Sequence, residues 1–224
     1  MDNQMFCFQC QEASKGVGCT IKGVCGKEAS TAMYLDLLKF VAKGISIVTT
    51  VFRAQGEAVS KEANHWVTTA LFTAITNANS DDESIKERIG AGIVLRNKLI
   101  QEAQSKGIEL PQVEAITWAG AEETYAEQAK KVGVLSEAHE DLRSLKELVI
   151  NGLMGMAAYL DHAERLGFED EACHAFTQEA LNDITVKSLG ADELTALVMK
   201  TGEFGVHAMA LLDKANTTKY GHPE

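Results

Sequence analysis

Four of the five cysteines fall near the start of the chain, at Cys7, Cys10, Cys19 and Cys25, with two, eight and five residues between successive members. A Cys-x-x-Cys pair places two sulfurs on one turn, where both can ligate adjacent corners of a metal centre. Gly16, Gly18, Gly23 and Gly26 are interleaved with the thiols and let the backbone wrap two more around the same centre. Four thiolates complete either a tetrahedral zinc site or the ligand set of an iron–sulfur cluster. Structural zinc sites tend to use two short-spaced knuckles, and the five residues between Cys19 and Cys25 are wider than a knuckle; that spacing favours a [4Fe–4S] cluster, with zinc or a disulfide pair as the alternatives.

The surroundings suit an anionic centre. Within residues 1–28, Lys15, Lys22 and Lys27 balance Asp2, Glu12 and Glu28, so the segment is neutral inside a chain with 21 basic and 32 acidic residues and a net charge of −11. Glycine N–H groups can approach cluster sulfurs and tune the potential. The acidic balance and the lack of any Lys/Arg stripe oppose nucleic-acid binding. The start, Met1 to Phe6, carries an acid where a signal peptide carries bases, and no apolar run approaches the ~20 residues that cross a bilayer. The expectation is a cytoplasmic chain without membrane contact, whose cysteines are read as ligands or buried thiols before disulfides.

The elements that must position these thiols are helices. With 224 residues, 46% apolar, 18 Gly and only 2 Pro, the chain can bury a substantial core. After residue 28 the apolar residues step by three and four. Leu35, Leu38, Ala42, Ile45, Val48 and Phe52 share one helix face, with Asp36, Lys39, Lys43 and Arg53 opposite and Gly56 as a stop. A second helix carries Val67, Ala70, Leu71, Ala74, Ile75 and Ala78. Ser80 with Glu83 forms a capping box for a third, carrying Ile85, Ile89, Ile93, Leu99 and Ile100. The pattern breaks between Gly107 and Ala121, where Leu110-Pro111 disfavours helix and Val113 to Trp118 reads as a short extended piece. A short helix at 122–132 follows. A longer one then steps through Leu142, Leu145, Val149, Gly152, Met156, Tyr159 and Ala163, another carries Ala172, Phe176, Ala180 and Ile184, and a last runs from near Asp192 and ends before Asn216. The fold class is all-α: a cysteine-rich segment over residues 1–28, a first three-helix bundle over 29–110 and a second over 111–224.

Other chemistry-bearing residues have plainer readings. Cys173, beside an apolar stripe, is a small buried hydrophobe. His162 and His174, among Glu164, Glu169, Asp170 and Glu171, match no ligand spacing and read as a solvated acidic helix end. Gly90-Ala91-Gly92 follows a helical pattern and not a strand, so it marks close helix packing and not a phosphate loop, as do Gly152 and Gly155. Trp66 and Trp118 belong to the core. His65, His139, His207 and His222 have no nucleophile placed by any motif.

Phe6-Cys7-Phe8-Gln9-Cys10-Gln11-Glu12, with Gly18-Cys19-Thr20 and Gly23-Val24-Cys25-Gly26-Lys27, resembles the amino terminus of the hybrid-cluster proteins, or prismane proteins, known as hydroxylamine reductases. The resemblance continues through Met209-Ala210-Leu211-Leu212-Asp213 to the closing Tyr220-Gly221-His222-Pro223-Glu224. It implies an amino-terminal domain of two three-helix bundles, with Cys7, Cys10, Cys19 and Cys25 ligating a [4Fe–4S] cubane, as the eight-residue middle spacing is similar to the members that hold that cluster. In the family this centre relays electrons to an iron–sulfur–oxygen hybrid cluster that reduces hydroxylamine or nitric oxide. That second cluster needs histidine, glutamate and further cysteine ligands from later domains, and Cys173 is the one thiol left here. The resemblance therefore implies a [4Fe–4S] electron-transfer domain without the hybrid cluster, served by a redox partner protein or by the missing catalytic domains. A part of an active reductase and a zinc-stapled interaction module are the rival readings.

Overall fold

The computed structural model describes residues 5–76 and 81–222, and among them the regular structure is helical. Helix α1 (Ala29–Ala54) is buried nearly all round: Leu37, Val41 and Ile47 are as inaccessible as Leu38, Ile45 and Val48. It packs on α2 (Lys61–Ile75), α3 (Asp82–Ser105), the one-turn α4 (Glu114–Thr117) and α5 (Tyr125–Lys131). It also packs on α7 (Glu171–Val186), while α2 lies against α6 (Glu140–Arg165) and α6 carries α8 (Ala191–Tyr220). One apolar core runs through all of these helices, from Met33 to Ala208.

The expected polar face of α1 is therefore not a solvent face. Arg53 Nη1 donates to Gln178 Oε1 on α7 at 2.6 Å, and Arg53 Nη2 donates to Asn64 Oδ1 on α2 at 3.0 Å and to Glu171 Oε1 at 2.7 Å. Asn64 Nδ2 donates to Glu171 Oε2 at 2.7 Å, and Gln178 Nε2 to Asn64 Oδ1 at 2.9 Å. This charge-assisted network ties α1 and α2 to α7 where an apolar stripe alone would leave polar groups unsatisfied.

Helix boundaries follow local chemistry. Ser60 caps α2 by accepting from the Ala63 N–H, and Asp170 caps α7 by accepting from Ala172 and Cys173. Ala78 and Ser80 lie outside the described residues; Asp81 is the residue that caps α3, accepting from the Glu83 N–H at 3.0 Å. Helix α8 runs past Asn216 to Tyr220 before Gly221, at φ 81°, turns the chain.

The piece from Val113 to Trp118 is a helical turn with extended residues only at its two ends. Arg96, 1% exposed, decides this: its Nη1 donates to the Ala115 carbonyl at 3.1 Å and its Nη2 to the Trp118 carbonyl at 2.6 Å. Those carbonyls would otherwise point at a partner strand, and among the described residues there is none.

Glycines set several helix approaches. A Cβ at Gly92 would stand 2.0 Å from the Trp66 ring, and one at Gly152 would stand 2.6 Å from Thr201 on α8, whose buried residues Leu194, Thr201, Ala208 and Ala215 recur every seven positions. Gly44, which the sequence pattern did not single out, lies under the Ala115 carbonyl, 2.5 Å from where its Cβ would be. Gly155 faces open space, contrary to the close packing expected there.

These contrasts separate by measurement. Gly44→Ala is expected to destabilise the protein by about 1–3 kcal/mol through overpacking, whereas Gly155→Ala should stabilise it by about 0.5–1 kcal/mol through helix propensity. Urea unfolding followed by circular dichroism reads both; equal effects would refute the assigned packing.

Candidate metal centre

Among the described residues the cysteine segment has one 3-10 turn, Ser14–Gly16, and otherwise irregular backbone. Its mount is local. Met5, 1% exposed, and buried Cys19 and Ala32 form a small apolar cluster against which Cys7 and Ala29 pack, fastening the segment to the start of α1. Gln9 Nε2 donates to the Ala74 carbonyl at the end of α2, at 2.8 Å. Lys22 pairs with Glu28, and Gly26, at φ 93°, makes the turn that brings Gly23 N–H to the Lys27 carbonyl at 2.8 Å.

Cys7 and Cys19 are brought together. Their backbones exchange both hydrogen bonds of an antiparallel bridge, Cys7 N–H to the Cys19 carbonyl at 3.0 Å and Cys19 N–H to the Cys7 carbonyl at 2.8 Å. Cys10 lies further along, its carbonyl accepting from the Ala13 N–H at 3.2 Å, and Cys25 is exposed on the Gly23–Lys27 turn. All are free thiols, and among the described residues no three His, Cys, Asp or Glu side chains converge in an arrangement that would hold a metal ion. Thiols attract one another weakly, and in small metal-binding segments the ligand geometry forms as the metal binds.

The environment of the sulfurs fits a thiolate-bound group. Ser14 N–H donates to Cys19 Sγ at 3.4 Å, the kind of backbone contact that orients a sulfur ligand. A Cβ at Gly23 would stand 3.0 Å from Cys25 Sγ, so only glycine leaves that sulfur its room. Cys7 opens on a cavity of about 30 Å³ that it shares with Lys27, Lys39, Asp36 and Glu147. Lys39 Nζ pairs with Asp36 Oδ1 at 2.8 Å. Burial pulls the Lys39 ammonium down, yet Asp36 and Glu147, with a contribution from Cys7, hold it above its ordinary value. Lys43, one turn on, is lowered by burial. The sequence reading placed Asp36, Lys39 and Lys43 on a solvent face and so missed this arrangement; their i, i+3 and i+4 spacing beside the start of α1 was the available signal.

Cys173 behaves as expected. It is fully buried on α7, and burial, with Asp170 nearby, pushes its thiol up to about 12. The supposed solvated helix end is solvated only in part. His174 is 4% exposed, and Glu164 joins it to His65, which comes from α2 and was not foreseen as a neighbour. Glu164 Oε2 lies 2.7 Å from His65 Nδ1; Glu164 Oε1 is 3.4 Å from His174 Nε2 and finds no well-aligned hydrogen bond. His174 Nδ1 stands 3.3 Å from Thr68 Oγ1. Trp66 and Trp118 are partly buried against the core as expected.

Fold and site together define a helical body of the kind that carries an amino-terminal four-thiol segment on the first turn of its most buried helix. The chain belongs to the Prismane/CO dehydrogenase family, whose model matches residues 5–224. Among its relatives, the hydroxylamine reductase of Porphyromonas gingivalis is 52% identical over 225 residues, spanning 100% of this chain and 41% of the relative. The hydroxylamine reductase of Clostridium perfringens is 48% identical, with 98% of this chain and 41% of the relative covered. That of Desulfitobacterium hafniense is also 48% identical, with 98% and 40% covered. The chain thus spans about two-fifths of the length of these relatives, corresponding to their amino-terminal part. Among the described residues no helix is long and apolar enough to cross a membrane.

The buried histidine supplies a pH test. Burial lowers the His174 pKa, outweighing the nearby Glu164, Glu171 and Glu169. Below an unfolded-state pKa of about 6.5 the unfolded chain binds the extra proton first, so this group's contribution is intact above that pH and is lost as pH falls toward the folded pKa. The urea midpoint should fall as pH is lowered below about 6.5, and His174→Gln should flatten that part of the profile; an unchanged slope would contradict the assignment.

Proposed function

We propose that this chain is the electron-carrying amino-terminal part of a hydroxylamine reductase-type protein, with Cys7, Cys10, Cys19 and Cys25 as thiolate ligands of one [4Fe–4S] cluster. The observation that carries the reading is the quartet itself. Four thiols fall within one loop segment docked on α1 and α2, in a chain about half identical to relatives named hydroxylamine reductase. Bound there, the cluster would supply one-electron storage and transfer.

The chain's own residues have definite roles in this reading. The Cys7–Cys19 backbone bridge fixes two ligands beside each other. The Ser14 N–H orients the Cys19 sulfur, and the apolar contacts of Met5 and Ala32 hold the segment's inner edge against the helices. Gln9 ties the strip between the first two ligands to α2. The exposed turn of Cys25 leaves one side of the segment open to a redox partner.

A second iron–sulfur centre does not fit this chain. Cys173 is the one remaining thiol, fully buried in α7 and held protonated by burial. Reduction of hydroxylamine is accordingly proposed for catalytic domains corresponding to the part of the relatives that this chain does not match, with the electrons delivered through this part. The polypeptide that supplies those domains, or the redox protein that exchanges electrons with the segment, is the proposed partner.

Protein purified and reconstituted without oxygen should hold about four iron and four acid-labile sulfide per chain, with a paramagnetic signal on reduction. Cys10→Ser should lose the broad visible absorbance. Zinc bound stoichiometrically without iron or sulfide would replace this reading with the stapled module, and turnover of hydroxylamine by the chain alone with a reduced viologen would show a reaction centre within it.

A further inference from the structure

Lys27 is 3% exposed as a residue and forms no ion pair with a carboxylate among the described residues. Fixed charges in a poorly solvated place act on their neighbours more strongly than they would in water. Lys27 lines the small cavity on which Cys7 opens, and Lys39 lines the same cavity from α1. Lys39 has its own partner, Asp36, with the two side chains only 16% and 14% exposed, and Glu147 reaches the cavity from α6. The residues that line this cavity beside Cys7 thus include two lysines, Lys27 and Lys39, and two carboxylate residues, Asp36 and Glu147.

We propose that Lys27 and Lys39 act as the built-in counter-charge of the thiolate-ligated centre, setting its reduction potential from the α1 side, with Asp36 and Glu147 as the opposing charges. This rests on the cluster reading above. A one-electron reduction adds one negative charge beside these groups and breaks no bond. Two fixed ammonium groups in a poorly solvated wall favour the reduced state, so removing either must make the potential more negative, and removing Asp36 must make it more positive. Lys27 and Lys39 are positioning residues here, acting through charge and not as ligands.

The test is a redox titration of the anaerobically reconstituted chain, with dithionite as reductant and mediator dyes, read by electron paramagnetic resonance. Lys27→Met and Lys39→Met are each expected to lower the reduced-to-oxidised ratio at fixed potential by about tenfold, which is 59 mV for one electron. Lys27→Arg should keep the wild-type potential, and Asp36→Asn should shift it the other way. If Lys27→Met does not retain a cluster, Lys39→Met and Asp36→Asn decide the matter. A wild-type chain that assembles no cluster overturns the functional reading itself. Clusters that assemble at an unchanged potential in Lys39→Met and Asp36→Asn overturn only the counter-charge assignment.

Discussion

Helix α1 is buried nearly all round, and the packing of its neighbours follows from covering it. A helix with one apolar stripe can be covered by two neighbours, but Phe40 and Ile47 stand on the side away from Leu38 and Ile45, and all four are buried. Covering both sides takes α2, α3, α5 and α7, each of which packs on α1. Two charged residues on α1 find their partners inside the protein: Arg53 with Gln178, Asn64 and Glu171, and Lys39 with Asp36. Burying such groups without partners would destabilise the fold more than the added apolar contact would stabilise it.

The same constraint explains where the cysteine segment sits. Residues 5–28 have too little apolar surface to order themselves, with Met5 and Cys19 as their buried hydrophobic members. They borrow order from the start of α1 and the end of α2, through Ala32 and the Ala74 carbonyl. Attachment to the most buried helix puts the thiols beside the half-buried charges Asp36 and Lys39 of that helix, where Glu147 arrives from α6. The chemical segment and the electrostatic wall behind it therefore come from three separate stretches of sequence.

Relatives at about half identity share the whole length of this chain while extending well beyond it. The seam that matters within the chain is the one between α1–α2 and α6–α7. It is polar where Arg53, Asn64, Gln178 and Glu171 meet, and partly titratable where Glu164 stands between His65 and His174. Hydrogen-bonded polar seams specify one arrangement more sharply than apolar contact of equal area, since a shift of register leaves buried groups unpaired.

The sequence alone carried the helical class, the long helices and most of their ends, the buried state of Cys173 and the existence of a four-thiol segment. These are local properties: a 3.6-residue period, a cap or a breaker, and thiol spacing are written in neighbouring residues. It misjudged Val113 to Trp118, because the hydrogen bonds that curl that piece come from Arg96 on another helix, and it misjudged Gly155, because open space and close packing look alike in one dimension. Packing between distant helices was needed to show that the charged side of α1 is largely internal, that His65 shares a carboxylate with His174, and that Lys27 and Lys39 line one cavity with Cys7. Each depends on which faces of distant helices meet, and periodicity gives a helix its faces without naming the neighbour that covers them.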